Sequence, residues 1–202
     1  ALLDLTSRFQ HLHDRDLSLM VYYSFALLAS GNAQGAFKTA RTASLTDRRY
    51  AYVLADLGQC LIEKGELDAA LKFFQEAYEI NDCMNYRQKD LADALHLAGR
   101  YESALRYYDI YRQNNGFFPV AFIMGLTALM MGEKAEAGVW FEHGFTGLQD
   151  EKYVSAGNEI DIKAIRAAAA YFKQNNMNAK AEFITSHPSL DTVFWGNNPK
   201  RP

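Results

Sequence analysis

Tyr50 to Asn81 reads YAYVLADLGQCLIEKGELDAALKFFQEAYEIN, and its pattern decides the fold. Leu54, Leu57, Gly58 and Leu61 fall on one face of a first helix. Leu67, Ala70, Leu71, Phe74 and Ala77 fall on one face of a second. Both stripes follow the three-to-four-residue rhythm of an α-helix with one buried side. Lys64-Gly65-Glu66 supplies the tight turn between them. The small residues Gly58 and Ala70 sit inside the stripes, where little or no side chain lets two helix backbones approach. The stretch is an αα-hairpin that cannot bury its apolar faces alone, so it needs neighbours of its own kind.

The chain provides them. Glycine ends a first helix at Gly31, Gly65, Gly99 and Gly132, at intervals of 34, 34 and 33 residues. Five residues after each glycine stands an alanine: Ala36, Ala70, Ala104 and Ala137. Seven before it stands a small residue (Ser24, Gly58, Ala92, Gly125), and one further back a large one (Tyr23, Leu57, Leu91, Met124). Nine after it come Ala40, Phe74, Tyr108 and Phe141. Glycine accepts the left-handed backbone that stops a helix. The alanine marks where the second helix crosses the first, and the large residues are expected to fill the space between neighbouring hairpins.

With this register the chain resembles the tetratricopeptide repeat family, which repeats every 34 residues or so with a large-x2-large-small signature in the first helix and alanines in the second. Leu54-x2-Leu57-Gly58 and the series Ala70, Phe74, Ala77 carry the resemblance best. Leu54 and Leu61 stand where the family has tryptophan and tyrosine, and Asp82 stands near the usual proline. The resemblance implies an all-α, right-handed solenoid of stacked antiparallel hairpins, about ten to eleven helices as one continuous array. The expected parts are an N-terminal helix over 2–13, repeats over 17–48, 50–82, 85–116 and 118–147, a degenerate repeat or C-terminal cap over 158–188, and a tail over 189–202.

Composition agrees with a packed helical chain. Of 202 residues, 49% are apolar, enough for a core, and the net charge of −3 gives no bias toward nucleic acid or membrane. The acidic balance argues against RNA binding, which needs a basic face. Cys60 and Cys83 make no disulfide framework; Cys60 reads as a small core hydrophobe and Cys83 as a turn residue. No apolar run reaches the ~20 residues of a spanning helix. No signal-peptide pattern is visible and the chain opens on Ala1, which reads as a processed protein or an excised fragment. The expectation is a soluble protein, cytoplasmic or periplasmic.

Several segments carry particular expectations. Leu2, Leu5, Phe9 and Leu12 share one helical stripe. His11 and His13, two apart on a helix, point to different faces, so a polar helix end is read there rather than a metal site. The first helices LSLMVYYSFALLAS and VAFIMGLTALMMG are nearly all apolar, as solenoid helices buried on both faces are. Met124 and Met131 are expected to pack inward. GNAQG, from Gly31 to Gly35, is a turn and lacks the ending of a phosphate-binding loop. Tyr101, Tyr107, Tyr108 and Tyr111 suit packing between repeats with wetted hydroxyls. The segment 147–158 adds about ten residues, either as extensions of the flanking helices or as a surface loop. Asn175-Asn176 takes the place of a turn glycine. Val193, Phe194 and Trp195 read as sealing the last helix pair, with docking in a groove as the alternative.

No HExxH, Gly-x-Ser-x-Gly or Cys-x-x-Cys occurs, and apart from His11 and His13 the five histidines sit on separate elements. No catalysis, no metal and no cofactor are expected. The resemblance instead implies a scaffold that holds a peptide or protein segment in a concave groove lined by first helices. Family geometry puts Val21, Phe25 and Leu28 there, then Tyr52, Ala55, Gln59 and Ile62, then Tyr86, Lys89, Asp93 and His96, and finally Phe122, Leu126, Leu129 and Met130. The best-known subfamily grips a terminal carboxylate with paired lysines and asparagines. Here Val21, Phe25, Ala55 and Gln59 hold those places and Lys89 is the one basic residue, so no such clamp is expected. A groove with apolar ends and a polar middle suits an extended or helical segment with hydrophobic anchors. The alternatives are a secretion-type chaperone, to which Leu57-Gly58-x-Cys60 is similar, and a self-associating subunit, such as a homodimer paired through its apolar first and last helices. No nucleic acid and no direct membrane insertion are expected.

Overall fold

A computed structural model describes residues 16–81, 87–115, 119–150 and 159–190. The expected helix over 2–13, Tyr86, Cys83 and the tail with Val193, Phe194 and Trp195 lie outside these residues. The described residues form ten α-helices, two short 3-10 turns and no strand. The chain divides into two compact units, residues 1–100 and 101–202.

The first unit holds α1 (Leu17–Ala29), α2 (Ala33–Thr46), α3 (Ala51–Glu63), α4 (Leu67–Ile80) and α5 (Gln88–Leu97). Helices adjacent in sequence pack together, and α1 also touches α3, α2 touches α4 and α3 touches α5. That is the contact pattern of hairpins stacked in order, first helix on first helix and second on second.

The second unit holds α6 (Tyr101–Asn115), α7 (Pro119–Met131), α8 (Lys134–Asp150), α9 (Glu159–Gln174) and α10 (Asn178–Ser186). Here α7 packs on α6, α8 and α9, and α9 packs on α10. Helix α7 starts at Pro119, where a missing N–H costs nothing. Helix α8 continues to Asp150, so residues 147–150 of the expected insertion extend a helix, and 151–158 lie outside the described residues.

One termination device recurs at every described hairpin turn. Gly31, Gly65, Gly99 and Gly132 take φ between 72° and 86°. Each donates its N–H three residues back, and the next residue reaches five residues back, as Glu66 N–H does to Leu61 O at 2.9 Å. These are the paired bonds that satisfy the last carbonyls of a helix. Asn176 does the same at φ 60°, with Met177 N–H reaching Phe172 O at 2.8 Å. Asparagine tolerates this conformation because its short polar side chain adds little steric cost.

The recurring alanines Ala36, Ala70, Ala104 and Ala137 have no exposed surface. They leave room for Leu54, Leu57, Leu61 and Phe74 in the first unit and for Met124, Phe141 and Phe172 in the second, all of them buried. Each such large side chain contributes about 1.5–3 kcal/mol on leaving water. The Phe74 and Phe141 rings also do something the spacing does not announce: each lies on the small residue of its own first helix. A Cβ at Gly58 would sit 3.1 Å from Phe74, and a Cβ at Gly125 would sit 2.5 Å from Phe141.

Polar links join repeats about one period apart. Lys64 Nζ donates to Leu28 O at 3.1 Å, and Asn81 Nδ2 donates to Arg48 O at 3.2 Å. Arg41 pairs with Glu76 at 2.5 Å. In the second unit Lys180 pairs with Glu142 at 2.5 Å and lies over the rings of Phe145 and Phe172.

Candidate protein-interaction faces

In the first unit α1 presents Val21 and Phe25 half-buried, one turn apart. Leu28, expected beside them, is only 4% exposed. It belongs to the core, because the second hairpin packs over it and Lys64 caps its carbonyl. Helix α3 presents Tyr52, 37% exposed and stacked on Tyr50 at 6.2 Å, with Gln59 exposed and Ile62 half-buried. Ala55 is buried.

Helix α5 carries charged side chains that are matched internally. Lys89 Nζ donates to Asp93 Oδ2 at 2.9 Å, with both side chains largely buried. The lone basic residue among the expected groove positions is therefore neutralised one helical turn away. Arg87 bridges Asp56 at 2.6 Å and Asp90 at 3.0 Å, tying α3 to the start of α5. His96 is partly exposed at the end of α5.

The Asp56 carboxyl sits above the ordinary carboxylate range. Burial raises it, and the attraction of Arg87, which lowers it, does not fully compensate. The short ion pair and the upward shift pull in opposite directions, and desolvation wins because α3 and α5 exclude water from that side. The Cys60 thiol is likewise pushed up, by burial first and then by Glu63 and Asp56. It is half-buried rather than fully packed, and this environment disfavours the reactive thiolate.

In the second unit Leu126 and Leu129 are half-buried on α7 and Met130 is 55% exposed. Phe122, expected on this face, has no exposed surface. Its ring lies on α8 at Gly144, where a Cβ would come within 2.8 Å. Phe122 is thus a core residue of the α7–α8 hairpin, and the face is formed without it. Met124 packs inward as expected, while Met131 is half-exposed at the helix end.

Leu129 opens into a cleft of about 620 Å³, lined also by Lys134 and Ala135 of α8 and by Ala167, Ala170, Tyr171, Gln174 and Asn175 on and after α9. Its floor is small because Ala167 and Ala170 put only methyl groups toward α7. The sequence held a signal for it that spacing alone did not read. In the run Ala167–Ala170, packing consumes Ala168 and Ala169, which are buried, and leaves Ala167 and Ala170 at the surface. Among the described residues no group of three or more His, Cys, Asp or Glu side chains could hold a metal. No helix of the described residues is long and apolar enough to cross a membrane.

The family model of the tetratricopeptide repeat matches residues 27–82, which contain the hairpin α3–α4. No curated protein matches the chain. Among solved structures, a crystal structure of MamA protein aligns at 13% identity over 92% of this chain and 98% of that one, with a TM-score of 0.60. MamA from Desulfovibrio magneticus RS-1 aligns at 12% identity over 83% and 90% of the two chains, with a TM-score of 0.59. A tetratricopeptide repeat protein from Parabacteroides merdae ATCC 43184 aligns at 16% identity over 83% of this chain and 63% of that one, with a TM-score of 0.57. The structural likenesses give the fold, all-α and built of stacked helix hairpins like those of tetratricopeptide repeat structures, and residues 27–82 within it match the tetratricopeptide repeat itself.

Proposed function

We propose that the chain is a non-catalytic scaffold that holds a peptide or protein segment on the faces formed by its first helices. In the first unit that face is Val21, Phe25, Tyr52, Gln59 and Ile62, with Lys89, Asp93 and His96 beside it, and Tyr86 belongs to the same proposal. In the second it is Leu126, Leu129 and Met130. The observation that carries the reading is the open cleft between α7 and α9, because it leaves an apolar wall of two first helices unfilled by the chain's own described side chains. The internal pairing of Lys89 with Asp93 supports a partner anchored by apolar side chains rather than by a terminal carboxylate. The test compares Tyr52→Glu and Leu129→Glu on the first helices with Leu45→Glu and Val139→Glu at exposed positions on second helices. Proteins retained on the immobilised chain should be lost with the first pair and kept with the second. Retention that survives the first pair places binding on another surface.

A further inference from the structure

We propose that the α7–α9 cleft selects a segment in which an acidic side chain stands next to an apolar one. This rests on the first-helix reading above and adds the chemistry of the occupant. The floor, made of Leu129, Ala135, Ala167 and Ala170, accepts an apolar side chain of modest bulk. The rim is cationic. Lys134 lines the cleft and forms no ion pair among the described residues, and no lining residue is acidic. Helix α9 continues the same sign: after Glu159 and Asp161 in its first turn it carries Lys163, Arg166 and Lys173 and no further acid. Lys163 stands one turn before Ala167 on the same helix face and is held only by Glu159, in a pair that is largely exposed.

The acidic neighbours of Lys134 in sequence, Glu133 and Glu136, form no ion pair with it among the described residues. Glu136 accepts from the Trp140 indole N–H at 3.2 Å, and Glu133 sits in the α7–α8 turn outside the lining. The Gln174 side chain completes the rim with an amide able to donate to a carboxylate. An aspartate or glutamate placed there would meet Lys134, while its apolar neighbour covers the alanines. That exposed contact would fade with added salt.

A displayed library of random linear peptides, selected on the full chain, tests this. Enriched peptides should carry an acidic residue beside an apolar one. They should lose binding on Ala170→Trp or Gln174→Trp, both exposed positions where an indole fills the cleft and the helix melt stays that of the parent. Lys134→Gln should weaken them roughly three- to fivefold, the scale of one exposed charge pair, and added salt should weaken them further. Peptides that need the open cleft but show no acidic bias and ignore Lys134→Gln would overturn the acidic chemistry and leave the first-helix reading standing. Peptides indifferent to both tryptophan variants, or no enrichment at all, would count against the cleft itself.

Discussion

Gly125 of α7 lies beneath the ring of Phe141 on α8, so close that a Cβ would come within 2.5 Å of it. Gly58 and Phe74 repeat the relationship in the first unit at 3.1 Å. The two pairs occupy the same register, seven residues before and nine after the turn glycine. An aromatic ring and an absent side chain thus hold a hairpin together.

This pairing separates two alanine substitutions. Gly125→Ala forces the rigid Phe141 ring away from a fully packed site, and overpacking of that kind costs about 1–3 kcal/mol. Gly58→Ala asks the Phe74 ring to give by only a few tenths of an ångström and gains up to about 1 kcal/mol from helix propensity. Chemical denaturation should show a clear loss for Gly125→Ala and a change near zero for Gly58→Ala. Equal losses would mean that the rings do not set the hairpin spacing.

Asn32 caps α2 by accepting the Gly35 N–H at 2.9 Å. The cap closes over Gly35, since a Cβ there would lie 2.7 Å from the Asn32 amide. Asn32→Ala should cost about 1 kcal/mol and Asn32→Asp little, because a carboxylate oxygen can accept the same bond. Midpoints of urea unfolding measure both. A harmless Asn32→Ala would show that the helix start is fixed elsewhere.

Asp56 should titrate above an ordinary aspartate in a carbon-detected NMR experiment, because burial outweighs Arg87. Arg87→Ala removes the opposing cation and should raise the midpoint further, whereas Asp90→Asn removes a nearby anion and should lower it. Since the folded-state value lies above the unfolded one, the Asp56 contribution to stability is full below the ordinary carboxylate range. It is lost as pH rises through the folded midpoint. A midpoint at or below the usual value would show that the ion pair, not burial, governs this carboxyl.

Hairpin order, turns and core alanines were legible in the sequence because each is fixed locally. A positive φ needs glycine or asparagine, and a helix crossing needs a small residue, so Gly65, Asn176 and Ala70 declare themselves. Surface positions were less legible. Family spacing put Leu28 and Phe122 on the open face, but spacing reports only which side of a helix a residue occupies. Whether that side is covered depends on the neighbouring helix, and Gly144 opens a seat for Phe122 while the Lys64 hairpin closes over Leu28. The α9 wall is hidden for the converse reason: alanine signals close packing, and four in a row mask the two, Ala167 and Ala170, that the described residues leave partly or wholly open.

Photo-crosslinking shows which helices touch a bound polypeptide. Benzoylphenylalanine placed at Tyr52 or Leu129, and separately at Leu45 or Val139, is irradiated with the proteins the chain captures. Adducts with another polypeptide are expected from the first-helix positions and none from the second-helix positions. Adducts formed only from Leu45 or Val139, or only between copies of this chain, would contradict binding on the first helices.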